Sequence, residues 1–240
     1  MKEHILAKDF YNLFKGNENY KGFLRTTLPH TREGYCERGI HRGLQIYCSH
    51  KSTKKEGGVK VKDWSNHLNG LPDKSLGVPP ITLDNSVKFG TIDIDIYKED
   101  SYKKEIRDII NKHNLPLIMC QSKSKGIHLY LFCSELVPSS LMREKMCKIA
   151  IFLGTLKEEI FPKQTEILKD KSDVRKYYGE WISVPYYDEA NMTEWNVEDK
   201  DSIPFKNRWA YNSEGDILTA KEFIAYANKL KITRKELENL

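Results

Sequence analysis

No stretch of this 240-residue chain is apolar over the roughly 20 residues that a membrane-spanning helix needs, so the sequence excludes an integral helical membrane protein. The start, "MKEHILAKDFYNLF", has neither the apolar segment nor the small-residue cleavage site of a secretory leader and reads as an ordinary helix. Cysteine is sparse. The five cysteines are scattered and odd in number, which fits a reducing cytosol better than a disulfide framework. The expected location is therefore cytoplasmic. No internal repeat and no low-complexity linker interrupts the chain. No G-x-x-x-x-G-K-[ST] loop is present, so no helicase motor is encoded here.

Charge of one sign is also scarce. Against 39 lysines and arginines stand 34 acids, a net charge of +5 that says little about partners. Local clusters say more. "HKSTKKEGGVKVK" (50–62) gathers lysines around a Gly-Gly pair and reads as a basic loop or hairpin. "QSKSKG" (121–126) adds two more in a turn. Either run can equally be a solvated surface.

What is present is a mixed pattern of helices and strands. "VKFGTIDIDIY" alternates polar and apolar residues with period two, as a half-buried strand does. In "EDSYKKEIRDIINKHN", Tyr102, Ile106, Ile109, Ile110 and His113 recur at helical spacing. Asp100 or Ser101 can cap that helix, and Asn114 with Pro116 stops it. "LPLIMCQ" is a short apolar run, "SKSKG" a turn and "IHLYLF" a strand, giving a β-α-β-turn-β unit over about 87–133. "SSLMREKMCKIAIFLG" places Met142, Met146, Ile149 and Leu153 on one helical face, with Gly154 at the C-cap. "EEIFPKQTEIL" and "EWISVPYYD" read as strands. "TAKE" (219–222) and "TRKE" (233–236) each fit a capping box and start two short final helices.

Three segments carry chemistry. Asp93 and Asp95 are two residues apart on a strand, so both carboxylates share a face about 6.5 to 7 Å apart. Such a pair can grip hard cations, yet alone it is equally a wet strand face. In "QSKSKGIHLYLF", Ser122, Lys123, Ser124 and Lys125 form a turn whose N–H groups can cradle an anion, with His128 at the head of the next strand. The third segment supplies Glu159 or Glu166 as a further acid, with Lys163 and Gln164 nearby. A fourth constellation, Cys36, His41, Cys48 and His50, consists of zinc-competent side chains. Its first pair lacks the short gap of a standard finger, so reduced cysteines beside surface histidines are the competing reading.

"FGTIDIDIY", "SKSKGIHLYLF", "EIFPKQ" and "WISVPYYD", in this order, resemble the archaeo-eukaryotic primase superfamily. They match its apolar-D-x-D, small-x-His and apolar-acid motifs. The resemblance is greatest to primase-polymerase domains of bacteriophage replication proteins and of TOTE conflict systems. It runs from about Trp64 to "GDILTAKEFIAYA". Residues 20–60 match poorly, and "GEW" puts Glu180 where phage domains carry asparagine.

The resemblance implies an α+β fold, with an RRM-like sheet packed against a second αβ unit and the active site between them. It implies an N-terminal helix and a basic, irregular segment over 1–63 as part of the αβ unit, a catalytic core over 64–212 and a helical tail over 213–240. Asp93, Asp95 and Glu159 would bind two Mg²⁺ or Mn²⁺ ions, with Glu166 as the rival third acid. Ser122, Lys125 and His128 would contact a nucleoside triphosphate, and Lys163 and Gln164 would line the same pocket. Partners would be a single-stranded DNA template, a primer strand and NTPs or dNTPs, with a helicase or other replication protein alongside. Two other classes remain open at this point. One is a metal-dependent nuclease or replication initiator. The other is a non-catalytic module stacking bases on Tyr97, Tyr130, Tyr177, Tyr178, Tyr186 and Tyr187.

Overall fold

The computed structural model describes residues 4–24, 35–36, 39–40, 53–95, 100–122, 126–155, 158–167, 179–192 and 208–240; for 24, 35–36, 39–40, 53–56 and 100 the description is of the backbone alone. The fold is mixed α+β. Helices α1 (Ala7–Leu13), α2 (Val61–Leu68), α3 (Asp100–Lys112), α4 (Ser139–Phe152), α5 (Ala220–Leu230) and α6 (Arg234–Glu238) surround two larger antiparallel sheets. Strands β1 (Tyr20–Leu24), β4 (Thr53–Glu56), β5 (Ser75–Val78) and β10 (Ile182–Ser183) form the first, in the order β10-β5-β1-β4. Strands β6 (Ser86–Ile94), β7 (Ile118–Gln121), β8 (Ile127–Pro138), β9 (Glu159–Phe161), β11 (Ala210–Tyr211) and β12 (Ile217–Leu218) form the second, in the order β12-β11-β7-β8-β6-β9. A two-residue pair, β2 (Tyr35–Cys36) with β3 (Gly39–Ile40), stands apart. No helix among the described residues is long and apolar enough to cross a membrane.

The expected β-α-β-turn-β unit is β6-α3-β7-β8. Strand β8 pairs antiparallel with both β6 and β7, so it inserts between two strands that run the same way. Helix α3 crosses over one sheet face, where Ile106 and Ile110 meet Ile92, Ile94 and Leu129. The expected stripe of α4, Met142, Met146, Ile149 and Leu153, packs into the same cluster. Gly154 follows with φ +70°, a left-handed conformation that an L side chain would strain. His113, placed on the apolar stripe of α3 by spacing, is exposed and rests edge-on against Phe152. Both capping boxes form: Thr219 with Glu222 and Thr233 with Glu236 exchange backbone and side-chain hydrogen bonds.

A register shift between Val87 and Phe89 changes which face β6 presents. Val87 joins Ile92 and Ile94 in the cluster under α3 and α4, whereas Phe89 joins the opposite cluster. The bulged residue supplies the extra step that a strict period of two lacks. On that opposite face Phe89, Tyr130 and Phe132 pack against Phe14 of the first helical segment, which also touches Trp64 of α2 and Phe223 of α5. The same core takes in Phe23, Leu76, Val78 and Ile182 of the first sheet.

Several expected elements differ. Residues 53–56 do not fold back as a hairpin of their own; they form β4, which pairs with β1. The following residues form α2 rather than irregular structure. Its first turn is closed by Asp63, whose carboxylate accepts from the Lys60 N–H at 2.8 Å and pairs with Lys21 at 2.6 Å. The strands expected around 158–168 and 180–188 shrink to β9 and β10. Pro162 and Pro185 carry no N–H for a ladder, and Tyr186 and Asp188 have φ of 66° and 57°, which turns the chain away.

Candidate functional site

The strand register assembles the site. Asp93 of β6 is the direct partner of His128 on β8 and of Glu159 on β9, and His128 is in turn the partner of Cys120 on β7. Glu159, Asp93 and His128 therefore form one transverse row across three strands, on adjacent backbones about 4.8 Å apart. Asp95 stands one residue beyond the end of β6 and is exposed.

Each acid of the row has a nitrogen-bearing side chain beside it. His128 Nε2 lies 3.1 Å from Asp93 Oδ1, with the histidine side chain only 6% exposed. Lys163 Nζ lies 2.7 Å from Glu159 Oε2, and its ammonium stands 5.0 Å above the Phe161 ring. The Glu159–Lys163 pair is open to solvent, so its own contribution to stability is about 0–1 kcal/mol. Glu158, which the sequence did not single out, accepts a 3.0 Å hydrogen bond from the Asp95 N–H and so ties the end of β6 to the start of β9.

The two candidate third acids are separated by position. Glu159 sits opposite Asp93. Glu166 lies in a segment anchored at the other end of β6: the Ser139 hydroxyl donates to Thr165 O at 2.5 Å, and the Ile167 N–H donates to Asn85 Oδ1 at 2.8 Å. From Asn85 to Asp93 the strand runs roughly 25 Å.

Gly126, at the head of β8, sits against the end of β6. The Ser122 N–H donates to Gly126 O at 2.8 Å, and Ser122 is 2% exposed. A side chain at Gly126 would overlap the Ile94 carbonyl, so only glycine lets the turn approach the strand end this closely. Lys123, Ser124 and Lys125 lie outside the described residues. Gln164 accepts a hydrogen bond from the Glu180 N–H at 3.1 Å, which joins the segment after β9 to the segment before β10. Of the zinc-competent residues, Cys36 is described by its backbone only, and His41, Cys48 and His50 lie outside the described residues.

His128 is also held from behind. Its Nδ1 is 3.1 Å from the Tyr130 hydroxyl, and that hydroxyl donates to Ser183 O on β10 at 3.1 Å. Burial, above all, and then the nearby Cys120 and Asp93 push the Tyr130 phenol well above its ordinary pKa, so it stays protonated. A second polar group behind the site had no signal in the sequence. Arg208 is fully buried, donates to Ser75 Oγ at 2.6 Å and lies over the Tyr187 ring. Burial lowers its pKa to about 10.

The base-stacking reading loses half of its residues. Tyr130, Tyr186 and Tyr187 are buried in the core, and their hydroxyls donate to carbonyls of Ser183, Leu218, Gly70 and Leu71. Tyr97, Tyr177 and Tyr178 lie outside the described residues. An aromatic that does lie on the surface of a sheet is Trp181. Its indole covers Gly22 of β1 and Gly77 of β5, where any Cβ would overlap it.

No three acidic, histidine or cysteine side chains converge on one point among the described residues. What suits a divalent cation is the donor chemistry and the register: carboxylates of Asp93 and Glu159 opposite one another, with Asp95 at the strand end.

No curated protein matches the chain. The model of the family described as "TOTE conflict system, Archaeo-Eukaryotic Primase domain" matches residues 6–224. That span includes residues 20–60, whose own sequence carried little of the resemblance, as well as the entire acid row. The chain belongs to the archaeo-eukaryotic primase domain family of TOTE conflict systems.

Proposed function

We propose that this domain is a DNA primase-polymerase, a nucleotidyltransferase that extends or begins a primer with NTPs or dNTPs on a single-stranded DNA template. The observation that carries this reading is the transverse row Glu159–Asp93–His128 with Asp95 at the strand end. Family membership supports nucleotidyl transfer as the class of chemistry. The reaction is in-line attack of a primer 3′-hydroxyl on the α-phosphate, with pyrophosphate leaving.

Asp93, Asp95 and Glu159 would hold Mg²⁺ or Mn²⁺, which supplies activation of the attacking hydroxyl and charge neutralisation on the leaving group. The chain's own residues then have separate tasks. β6 fixes the backbones of the acids, because Ile92 and Ile94 are buried beneath α3 and α4. His128 presents an imidazole edge beside Asp93. Lys163 brings a positive charge next to Glu159, and Lys123 and Lys125 would add charge that offsets the triphosphate. We place the protein in the cytosol of a bacterium or an infected host, working on single-stranded DNA beside a helicase or another replication protein.

The test is incubation of the purified chain with a primed or unprimed single-stranded template, each nucleotide pool and Mn²⁺. Extension or dinucleotide synthesis, lost in Asp93→Ala and Asp95→Ala variants that keep the wild-type circular dichroism, is the expected result. Strand cleavage, or binding with no incorporation, overturns the reading.

A further inference from the structure

Tyr130 lies between the acid row and the first sheet, and its hydroxyl has a fixed division of labour. A phenol has one proton to donate and lone pairs to accept with. Ser183 O, on β10, is a carbonyl and can only accept, so the 3.1 Å contact there uses the Tyr130 proton. What remains to Tyr130 is its lone pair. The 3.1 Å contact with His128 Nδ1 is therefore made by an Nδ1–H donating to the phenol oxygen. Nε2 is then the ring atom turned to Asp93 Oδ1, 3.1 Å away, and against a carboxylate, which only accepts, that approach is attractive only with a proton on Nε2 as well. His128 and Tyr130 are both almost fully buried, so water has little access to either contact.

We propose that Tyr130 is a positioning residue for nucleotidyl transfer. Anchored to Ser183 on the edge strand of the other sheet, it holds the Nδ1 proton and the plane of His128, and so sets how Nε2 meets Asp93 and the substrate phosphates. This rests on the proposed function for its rate effect, though not for the Nδ1 contact. A histidine held through its second nitrogen by an outer partner is a common device. For metal-ligating histidines, loss of such a partner lowers metal affinity or activity by about 10- to 100-fold, and the same scale is expected here. The fold supports the arrangement on the remaining sides. The Tyr130 ring packs against Phe14, Phe89 and Phe132, so its hydroxyl is carried by an aromatic cluster and not by a loop. The link also joins the two sheets at the site, since Ser183 pairs with Gly77 of β5 while His128 pairs with Asp93 of β6.

The experiment compares Tyr130→Phe with Tyr186→Phe in the full chain. Tyr186 is an equally buried tyrosine whose hydroxyl donates to Leu218 O at 2.8 Å and accepts from the Ala210 N–H, with no histidine attached. ¹⁵N spectra of the histidine ring nitrogens and the kcat of primer extension are read for both. The wild type is expected to show a protonated, slowly exchanging Nδ1 at His128. Tyr130→Phe is expected to lose that slow exchange and to drop kcat about 10- to 100-fold, with the triphosphate KM changed much less. Tyr186→Phe is expected to lower the melting temperature without touching either readout. A wild-type His128 with a bare Nδ1, or a Tyr130→Phe spectrum and kcat like those of wild type, overturns the proposal. A wild-type chain that incorporates no nucleotide overturns the proposed function instead, and the ring spectra then decide the Tyr130 contact alone.

Discussion

Asp93 and Glu159 are direct register partners on neighbouring antiparallel strands, although 65 positions separate them in the chain. The pairing puts one acid from each strand at the same height on the sheet. Glu166, likewise followed by an isoleucine in sequence, lies in a segment anchored roughly 25 Å away along β6. A Glu159→Gln variant is expected to lose on the order of 100-fold or more in kcat of nucleotide incorporation. Glu166→Gln is expected to stay near wild type. Chelation of divalent cations should abolish incorporation in the wild type, with Mg²⁺ or Mn²⁺ restoring it. Equal losses in both variants would contradict the register argument.

Phe14 touches six other aromatic rings, from α1, α2, the second sheet and α5. It is 1% exposed. Truncation leaves a cavity that these elements share and that none can fill alone. Phe14→Ala is expected to cost about 3–5 kcal/mol of unfolding free energy, measured by urea denaturation. A cost under about 1 kcal/mol would mean that the first helical segment does not anchor the core.

Gly77 has no room for a side chain, because a Cβ would enter the Trp181 indole. Gly77→Ala is expected to push the indole off the sheet, shift the tryptophan fluorescence to longer wavelength and cost about 1–3 kcal/mol. Alanine at Gly57, where φ is +82° but an added Cβ meets nothing within 4 Å among the described residues, is the comparison that measures backbone strain without the clash. Unchanged fluorescence in Gly77→Ala would contradict the contact.

His67 makes the stability sensitive to mild acid. Its Nδ1 accepts from the Leu76 N–H at 2.9 Å, and its Nε2 is 2.8 Å from Pro185 O, so the ring is neutral with the proton on Nε2. Burial first, and then the Arg208 charge, hold its pKa well below the ordinary 6.5, against the opposing Pro185 hydrogen bond. In the unfolded chain the ring titrates near 6.5, so below that pH the unfolded state binds a proton that the native state refuses. The stabilisation is complete above about pH 6.5 and is lost as pH falls toward the lowered native value, by up to about 1.4 kcal/mol per pH unit. Urea midpoints should fall between pH 7.5 and 5.5. In His67→Gln the midpoint starts lower and the slope is shallower. Carboxylates held low, such as Glu222 and Glu236 at their helix caps, act only in a more acidic range. An unchanged slope in His67→Gln would assign the acid sensitivity elsewhere.

The sequence by itself determined the features whose cause is local. The period of two in "TIDIDI" gave a strand with isoleucines inward. The two T-x-x-E boxes gave helix starts, and the stripe Met142–Met146–Ile149–Leu153 gave a buried helix face. Spacing along one chain is enough for these, because the backbone geometry repeats every two or every 3.6 residues. Local pattern failed where the partner was distant. Strand β4 looked like half of its own hairpin but pairs with β1. Tyr130, polar at its tip and set in a strand with alternating residues, looked available to a base but is buried against Ser183 and His128.

Only the tertiary structure decided which glutamate stands opposite Asp93, which carbonyl holds Tyr130 and why Gly22 and Gly77 must lack side chains. Each of these is a relation between strands that meet through long connections. Register is fixed by the packing of both faces of the sheet at once, and a one-residue slip would exchange the acid row for the isoleucine core.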